Sequence, residues 1–115
     1  MPAVTEIRLS SDKQLLTVGF DNNERFEISA ELARVESPSA EVQGHDPASK
    51  KLITGKRNVR VTAIEPVGNY AVRLVFDDGH DTGIFSWDVL YRLGGQGEKL
   101  MTEYLAALDE AGLQR

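Results

Sequence analysis

Cysteine is absent from this 115-residue chain, and its absence excludes several chemistries at once. Without a thiol the chain forms no disulfide, offers no thiolate to zinc or to an iron–sulfur cluster, and carries no cysteine nucleophile. Histidine is scarce as well, with His45 and His80 as the two imidazoles. Few groups therefore remain for metal binding or nucleophilic catalysis. The length of the chain is typical of one domain, so residues 1–115 are predicted to form a single domain.

Long apolar runs are also missing. No stretch approaches the roughly 20 apolar residues that span a bilayer, and no basic segment followed by an apolar run opens the chain. The formal net charge of -5 argues against general binding to nucleic acid. We therefore expect a cytoplasmic protein that binds neither a membrane nor nucleic acid.

The sequence consists mainly of segments in which apolar and polar residues alternate, separated by residues typical of turns. Predicted strands cover residues 5–9, 14–20, 25–28, 59–66, 70–76 and 80–86. Asn and Asp-Gly turns join them into hairpins, and Ser29 is a typical N-cap for a short helix over residues 30–34. Two more helices are predicted over residues 87–93 and 98–111. The predicted fold class is α+β: a small, mostly antiparallel sheet with hairpins, a short helix after the first hairpin and two C-terminal helices.

Alternation along the last predicted strand assigns its side chains to two faces. Phe85 and Trp87 are predicted to be core residues on the face opposite His80. Gly83 on the same face as Phe85 suggests close approach of a neighbouring aromatic ring or backbone, so it should be sterically required. Residues 35–49 lack a sustained period and are predicted to form an irregular loop. Within it, substitutions in residues 37–45 are predicted to leave stability nearly unchanged while weakening partner binding.

Motifs for catalysis are missing from the sequence. The Gly94 to Gly97 segment lacks the lysine and hydroxyl residue that end a phosphate-binding loop, and it is predicted to be a flexible link between two helices. No Gly-x-Ser-x-Gly elbow is present, so no enzyme signature is found.

Basic residues concentrate within residues 50–60, which contain no acid. The members of this basic stretch are Lys50, Lys51, Lys56, Arg57 and Arg60. The stretch indicates either weak binding to nucleic acid or a solvated, charged edge strand.

Three segments carry a family resemblance: residues 36–45, residues 61–73 and, most distinctively, residues 76–87 (FDDGHDTGIFSW). The chain resembles the gamma-butyrobetaine hydroxylase-like N-terminal domain family. In carnitine-synthesis hydroxylases this domain precedes a separate iron- and 2-oxoglutarate-dependent catalytic domain. In some P-loop carriers for iron–sulfur cluster assembly a similar domain lies at the C-terminal end. The resemblance implies a non-catalytic interaction or scaffold domain, accessory to iron–sulfur cluster assembly or to a metabolic enzyme, with an unidentified protein partner.

The resemblance also implies a zinc site that this chain does not preserve. The hydroxylases hold a structural zinc with a Cys-Pro-Cys-x-x-Cys run and a later histidine. Here Ser37-Pro38-Ser39 and Val42 occupy the cysteine run, and His80 matches the histidine. Serine hydroxyls stay protonated near neutral pH and are poor zinc ligands, so neither zinc nor iron is expected as a cofactor. The alternative function is a metal-binding accessory protein that uses His80 and His45.

The predicted partner-binding surface combines the loop of residues 37–45 with two aromatic residues after the last strand. Trp and Tyr are favoured anchors in interfaces. The residues predicted to bind the partner are Ser37, Pro38, Gly44, His45, Trp87 and Tyr91.

Overall fold

The computed structural model describes residues 2–44 and 46–115. Within them the strands are β1 (Val4–Leu9), β2 (Leu15–Phe20), β3 (Arg25–Ser29), β4 (Val61–Val67), β5 (Ala71–Phe76) and β6 (Gly83–Ser86). The helices are α1 (Ala30–Val35), α2 (Ala40–Gln43), α3 (Trp87–Gly95) and α4 (Gly97–Glu110), with a 3₁₀ turn at Pro47–Ser49. None of the helices in this part of the chain is long and apolar enough to cross a membrane.

The strands form two antiparallel three-stranded sheets, ordered β1-β2-β3 and β4-β5-β6. This arrangement confirms the α+β prediction, with the strands divided between two sheets instead of one. The division follows from the chain between α1 and β4, which is a long connection without a strand. Residues 59 and 60, predicted as the start of a strand, precede β4, and the basic stretch is therefore not an edge strand.

Local turn and cap chemistry explains the boundaries of most elements. Asn23 adopts a φ of 69° between β2 and β3, and Gly79 adopts 90° between β5 and β6, as the predicted hairpin turns require. Ser29 caps α1 by accepting a hydrogen bond from the Leu32 amide at 3.0 Å. Ser86 caps α3 in the same way.

The Gly94–Gly95 pair is part of α3, so the prediction of a flexible link there was wrong. A methyl group on Gly94 would lie 2.5 Å from Cβ of Phe26 in β3, too close for a real contact. The glycine therefore lets the helix approach the sheet. Gln96 alone separates α3 from α4.

Residues from both sheets and from α1 and α3 share one buried cluster. Its fully buried large side chains include Leu16, Ile28, Leu74, Phe76, Phe85 and Leu90. The prediction that Phe85 is core is confirmed, since the side chain has no exposed surface. Trp87 packs against this cluster but is only half-buried, because α3 begins at this residue.

The last strand begins later than predicted, at Gly83. Residues 80–82 leave the strand ladder after the turn, where the carbonyl of His80 accepts a hydrogen bond from the Phe76 amide at 2.9 Å. Strand alternation therefore does not apply to His80. Its ring is buried, 5.9 Å from the ring of Phe76, and the prediction that it faces away from the core was wrong.

Candidate functional site

A buried polar network joins the residues after α1 to the turn before β6. Ser37 is fully buried and His80 is 5% exposed. The Ser37 hydroxyl lies 2.9 Å from Nε2 of His80, although the two residues are 43 positions apart. A second pair, Ser39 and Thr82, joins the same segments through hydroxyls 2.7 Å apart.

The short helix α2 positions the remaining side chains of this network. Ser39 begins the helix by accepting a hydrogen bond from the Glu41 amide at 3.2 Å. One turn of helix then directs Oε2 of Glu41 to within 3.2 Å of Nδ1 of His80. Val42 faces inward and is buried, while the side-chain amide of Gln43 donates to the Ser37 carbonyl at 2.9 Å. Within the segment predicted as an irregular loop, Ala40–Gln43 is thus helical and Ser37, Ser39 and Val42 are buried, so the prediction was wrong for these residues.

Asp78 supports the network from the hairpin turn. Its carboxylate accepts from Nε of Arg34 at 2.8 Å, from Nζ of Lys56 at 2.6 Å and from the His80 amide at 3.0 Å. Burial alone would raise the pKa of Asp78, but the hydrogen bonds from Lys56, His80 and Arg34 outweigh it and hold that pKa well below the ordinary value. Asp78 is therefore ionised near neutral pH.

Burial and the nearby Arg34 charge lower the pKa of His80, against the opposing influence of Glu41 and Asp78. The imidazole is consequently neutral at pH 7 and carries one proton. Because Nδ1 faces a carboxylate, which can only accept, the proton belongs on Nδ1. Nε2 then accepts a hydrogen bond from the Ser37 hydroxyl.

Ser37, His80 and Glu41 have the order of a hydroxyl, a base and an orienting carboxylate. A hydrolase also needs its nucleophile to reach a substrate carbonyl and an oxyanion hole beside it. Ser37 has no exposed surface, and the backbone of Gly83 packs so closely that even a methyl group there would come within 3.0 Å of the hydroxyl. The arrangement is therefore a buried hydrogen-bond chain and not a substrate site.

Three of the positions that the family resemblance assigned to zinc, Ser37, Ser39 and His80, are linked by hydrogen bonds, and Val42 is buried in the helix that Ser39 caps. The four positions supply two hydroxyls, one isopropyl group and one imidazole. Structural zinc takes four thiolate, imidazole or carboxylate ligands, which this set does not provide. In residues 2–44 and 46–115, no three His, Cys, Asp or Glu side chains gather as a metal site. The residues present do not fit zinc.

A second candidate site lies at the opposite end of β6, around two aromatic side chains. Tyr70 is 58% exposed, more than any other large hydrophobic residue within residues 2–44 and 46–115. Together with Trp87 it lines a cleft of about 260 Å³ that is mainly apolar. We call this the Tyr70–Trp87 surface, and its members are Pro2, Tyr70, Ser86, Trp87 and Asp88.

The Tyr70–Trp87 surface is held in place by the turn between β4 and β5. Gly68 has a φ of 56°, and a side chain there would lie 2.7 Å from the Tyr70 ring, so the ring packs directly over the turn. The indole of Trp87 donates to the carbonyl of Asn69 in the same turn at 3.1 Å. The Trp87 amide in turn donates to the Tyr70 carbonyl at 3.0 Å.

The residues predicted to bind a partner do not share one surface. Ser37 is interior, while Pro38 and Gly44 are half-buried. Tyr91 packs its ring 5.1 Å from Phe20, beside the first sheet. His45 lies outside the described residues. A binding role for these residues stays a prediction, although the side chains of Ser37, Ser39 and Val42 are buried.

Tyr70 was missed because alternation along residues 70–76 placed it with the buried Val72, Leu74 and Phe76. The strand begins one residue later, and Tyr70 belongs to the turn. The Gly68-Asn69 pair was the available signal, since a residue directly after a turn need not follow the alternation of the strand.

The basic stretch is partly neutralised by carboxylates elsewhere in the chain. Nζ of Lys50 lies 2.5 Å from Glu36, and Nζ of Lys56 lies 2.6 Å from Asp78. Two of its five cations therefore have an acidic partner within the fold, which weakens the positive potential available to phosphate.

The two antiparallel sheets and their helices define a small α+β domain, and comparison with known proteins identifies its family. The model of the family described as gamma-butyrobetaine hydroxylase-like, N-terminal, matches residues 7–91. The chain therefore belongs to the gamma-butyrobetaine hydroxylase-like N-terminal domain family, as the sequence resemblance predicted. A search of curated proteins gave no match.

Solved structures agree with this assignment. A protein solved by NMR in solution is 51% identical, with a TM-score of 0.86, over 100% of this chain and 86% of the other. A second NMR structure is 44% identical, with a TM-score of 0.85, over 100% and 90%. A crystal structure of a DUF971-family protein of unknown function from Acidithiobacillus ferrooxidans is 37% identical, with a TM-score of 0.66, over 79% and 91%.

Proposed function

We infer that this chain is a non-catalytic protein-interaction domain that binds its partner through the Tyr70–Trp87 surface. The exposure of Tyr70 is the observation that carries the proposal. A large aromatic side chain left 58% exposed, yet packed against a glycine turn, is already in a fixed position before a partner arrives. Pre-ordered aromatic side chains lose little conformational entropy on binding, and for this reason they act as interface anchors.

The surroundings of Tyr70 have the composition of a binding surface. Ile84 is 40% exposed and lies on the same side of β6 as Ser86, two residues along the strand, so it extends the apolar area. Asp88 in the first turn of α3 adds an exposed charge at the rim. An apolar centre with a polar rim is the usual anatomy of a transient interface.

Comparative capture tests the proposal. The wild-type domain, Tyr70→Ala and Leu113→Ala are immobilised and exposed to the same cell extract. Leu113 is a matched control because it is also a large exposed residue, at 46%, on a different part of the molecule. Any partner retained by wild type is then purified and its Kd measured with all three.

Truncating an interface anchor weakens the binding free energy by at least about 2 kcal/mol, which raises Kd roughly 30-fold. We expect Tyr70→Ala to weaken binding by that factor and Leu113→Ala to leave it within about twofold. Equal binding by the three proteins would contradict the proposal.

The finer identity of the partner follows from the family resemblance. A component of iron–sulfur cluster assembly or a metabolic enzyme remains the predicted partner, and the captured protein decides between them. Nucleic acid is disfavoured by the neutralised Lys50 and Lys56. We expect no duplex binding tighter than the nonspecific range of about 10⁻⁴ to 10⁻⁶ M at physiological salt.

A further inference from the structure

The polar network around His80 carries an inference that is independent of the proposed interaction surface. We propose that hydrogen bonds, and not a metal ion, join residues 37–42 to residues 78–83 in this protein. The chain of contacts runs from Ser37 through the His80 ring to Glu41, with the Ser39–Thr82 pair beside it.

The protonation state of His80 is central to this assignment. A neutral imidazole has one protonated nitrogen and one lone pair, and only the lone pair binds a metal. Glu41 places the proton on Nδ1, so the lone pair on Nε2 is the one that accepts a hydrogen bond from the Ser37 hydroxyl, whose oxygen lies 2.9 Å away. A metal at Nε2 would have to displace that hydroxyl.

Displacing the hydroxyl would leave nothing better to complete a metal site. Ser37 has no exposed surface, so its hydroxyl would lose its partner in an interior position without access to water. Ser39 already shares its hydroxyl with Thr82 and caps α2. Val42 offers carbon only. The same contacts that exclude the metal therefore also hold the two segments together.

Nitrogen-15 NMR of the imidazole rings tests the assignment directly. Long-range proton–nitrogen correlations distinguish a protonated ring nitrogen from an unprotonated one. The variant His45→Gln leaves His80 as the single histidine, and the wild-type protein with both rings assigned serves if that variant folds poorly. Spectra are recorded at pH 7.5 alone, with EDTA, and with a tenfold excess of zinc chloride.

We expect Nδ1 of His80 to be protonated, Nε2 to be an unprotonated acceptor, and both signals to be unchanged by EDTA or zinc. In Ser37→Ala the Nε2 signal should move toward that of a free acceptor. A proton on Nε2, or a zinc-dependent shift of the His80 signals with one equivalent bound, would overturn the proposal.

Unfolding in urea measures the contribution of the network to stability. Ser37→Ala removes the hydroxyl and leaves Nε2 buried without a donor, which should raise the unfolding equilibrium constant about 5- to 150-fold. The matched control is Ser11→Ala, since Ser11 is an exposed serine in a turn, and its effect should stay within about twofold. Equal effects of the two substitutions would contradict a stabilising role for the Ser37–His80 contact.

Discussion

Substituting alanine for Gly83 should destabilise the protein, because Gly83 lies where the polar network packs tightly against the core. The added methyl group would lie within 3.0 Å of the Ser37 hydroxyl and 2.9 Å from Cε1 of Phe85, whereas ordinary contacts are 3.4–4 Å. Ser37 and Phe85 are both fully buried, so neither side chain can relieve the overlap by moving into solvent. Ser37 must move by several tenths of an ångström, and that movement stretches its hydrogen bond to His80.

Two physical effects set the expected magnitude for Gly83→Ala. Overpacking a core costs about 1–3 kcal/mol, and loss of a buried hydrogen bond adds about 1–3 kcal/mol. The lower conformational entropy of unfolded alanine offsets at most about 1 kcal/mol. We therefore expect a decrease of about 1–6 kcal/mol in the free energy of unfolding.

Urea denaturation monitored by circular dichroism measures this change. The slope m of unfolding free energy against urea concentration is compared between variants, because a shift in midpoint reports a change in stability only when m is unchanged. The double variant Ser37→Ala with Gly83→Ala is the internal check. Removing the hydroxyl relieves one of the two clashes, so the double variant should lose less than the sum of the single variants. If Gly83→Ala stays within about 0.5 kcal/mol of wild type, the packing argument is refuted.

Three further predictions concern the core, the helix–sheet contact and pH. Phe85→Ala should lower the free energy of unfolding by about 3–5 kcal/mol in the same assay, and a loss below about 1 kcal/mol would contradict its core position. Gly94→Ala should destabilise because of Phe26, while the adjacent Gly95→Ala should stabilise by up to about 1 kcal/mol, since its methyl group meets only ordinary contact; the reverse order would refute the packing of α3. Because the pKa of folded His80 is lowered from 6.5, the unfolded chain binds the proton more readily, and stability should fall as pH drops below about 6.5. His80→Gln should flatten that pH dependence, and an unchanged slope in this variant would show that another group titrates.

Local chemistry allowed much of the fold to be predicted from the sequence. Asn23, Ser29 and Gly79 act on their own turn or helix end, so their roles need no knowledge of distant residues. Phe85 and Gly83 could also be assigned, because both lie within β6, where the period-two rule holds.

The features that escaped prediction depend on contacts between distant segments. The approach of Gly94 to Phe26 joins residues far apart in sequence, and no local pattern records it. His80 lies just before β6 begins, so strand alternation assigned its side chain to the wrong face. The pairing of Ser37 with His80 was indicated only by the family ligand positions, and the hydrogen bond between their side chains could be found only from the structure.

The role of the Tyr70–Trp87 surface is tested most directly by NMR titration of the nitrogen-15-labelled domain with the captured partner. The account predicts that the largest shifts in amide and indole signals cluster at Tyr70, Ile84, Ser86 and Trp87, and that Tyr70→Ala abolishes them at the same partner concentration. Saturable shifts confined to other residues, with Tyr70 and the Trp87 indole unchanged, would contradict it.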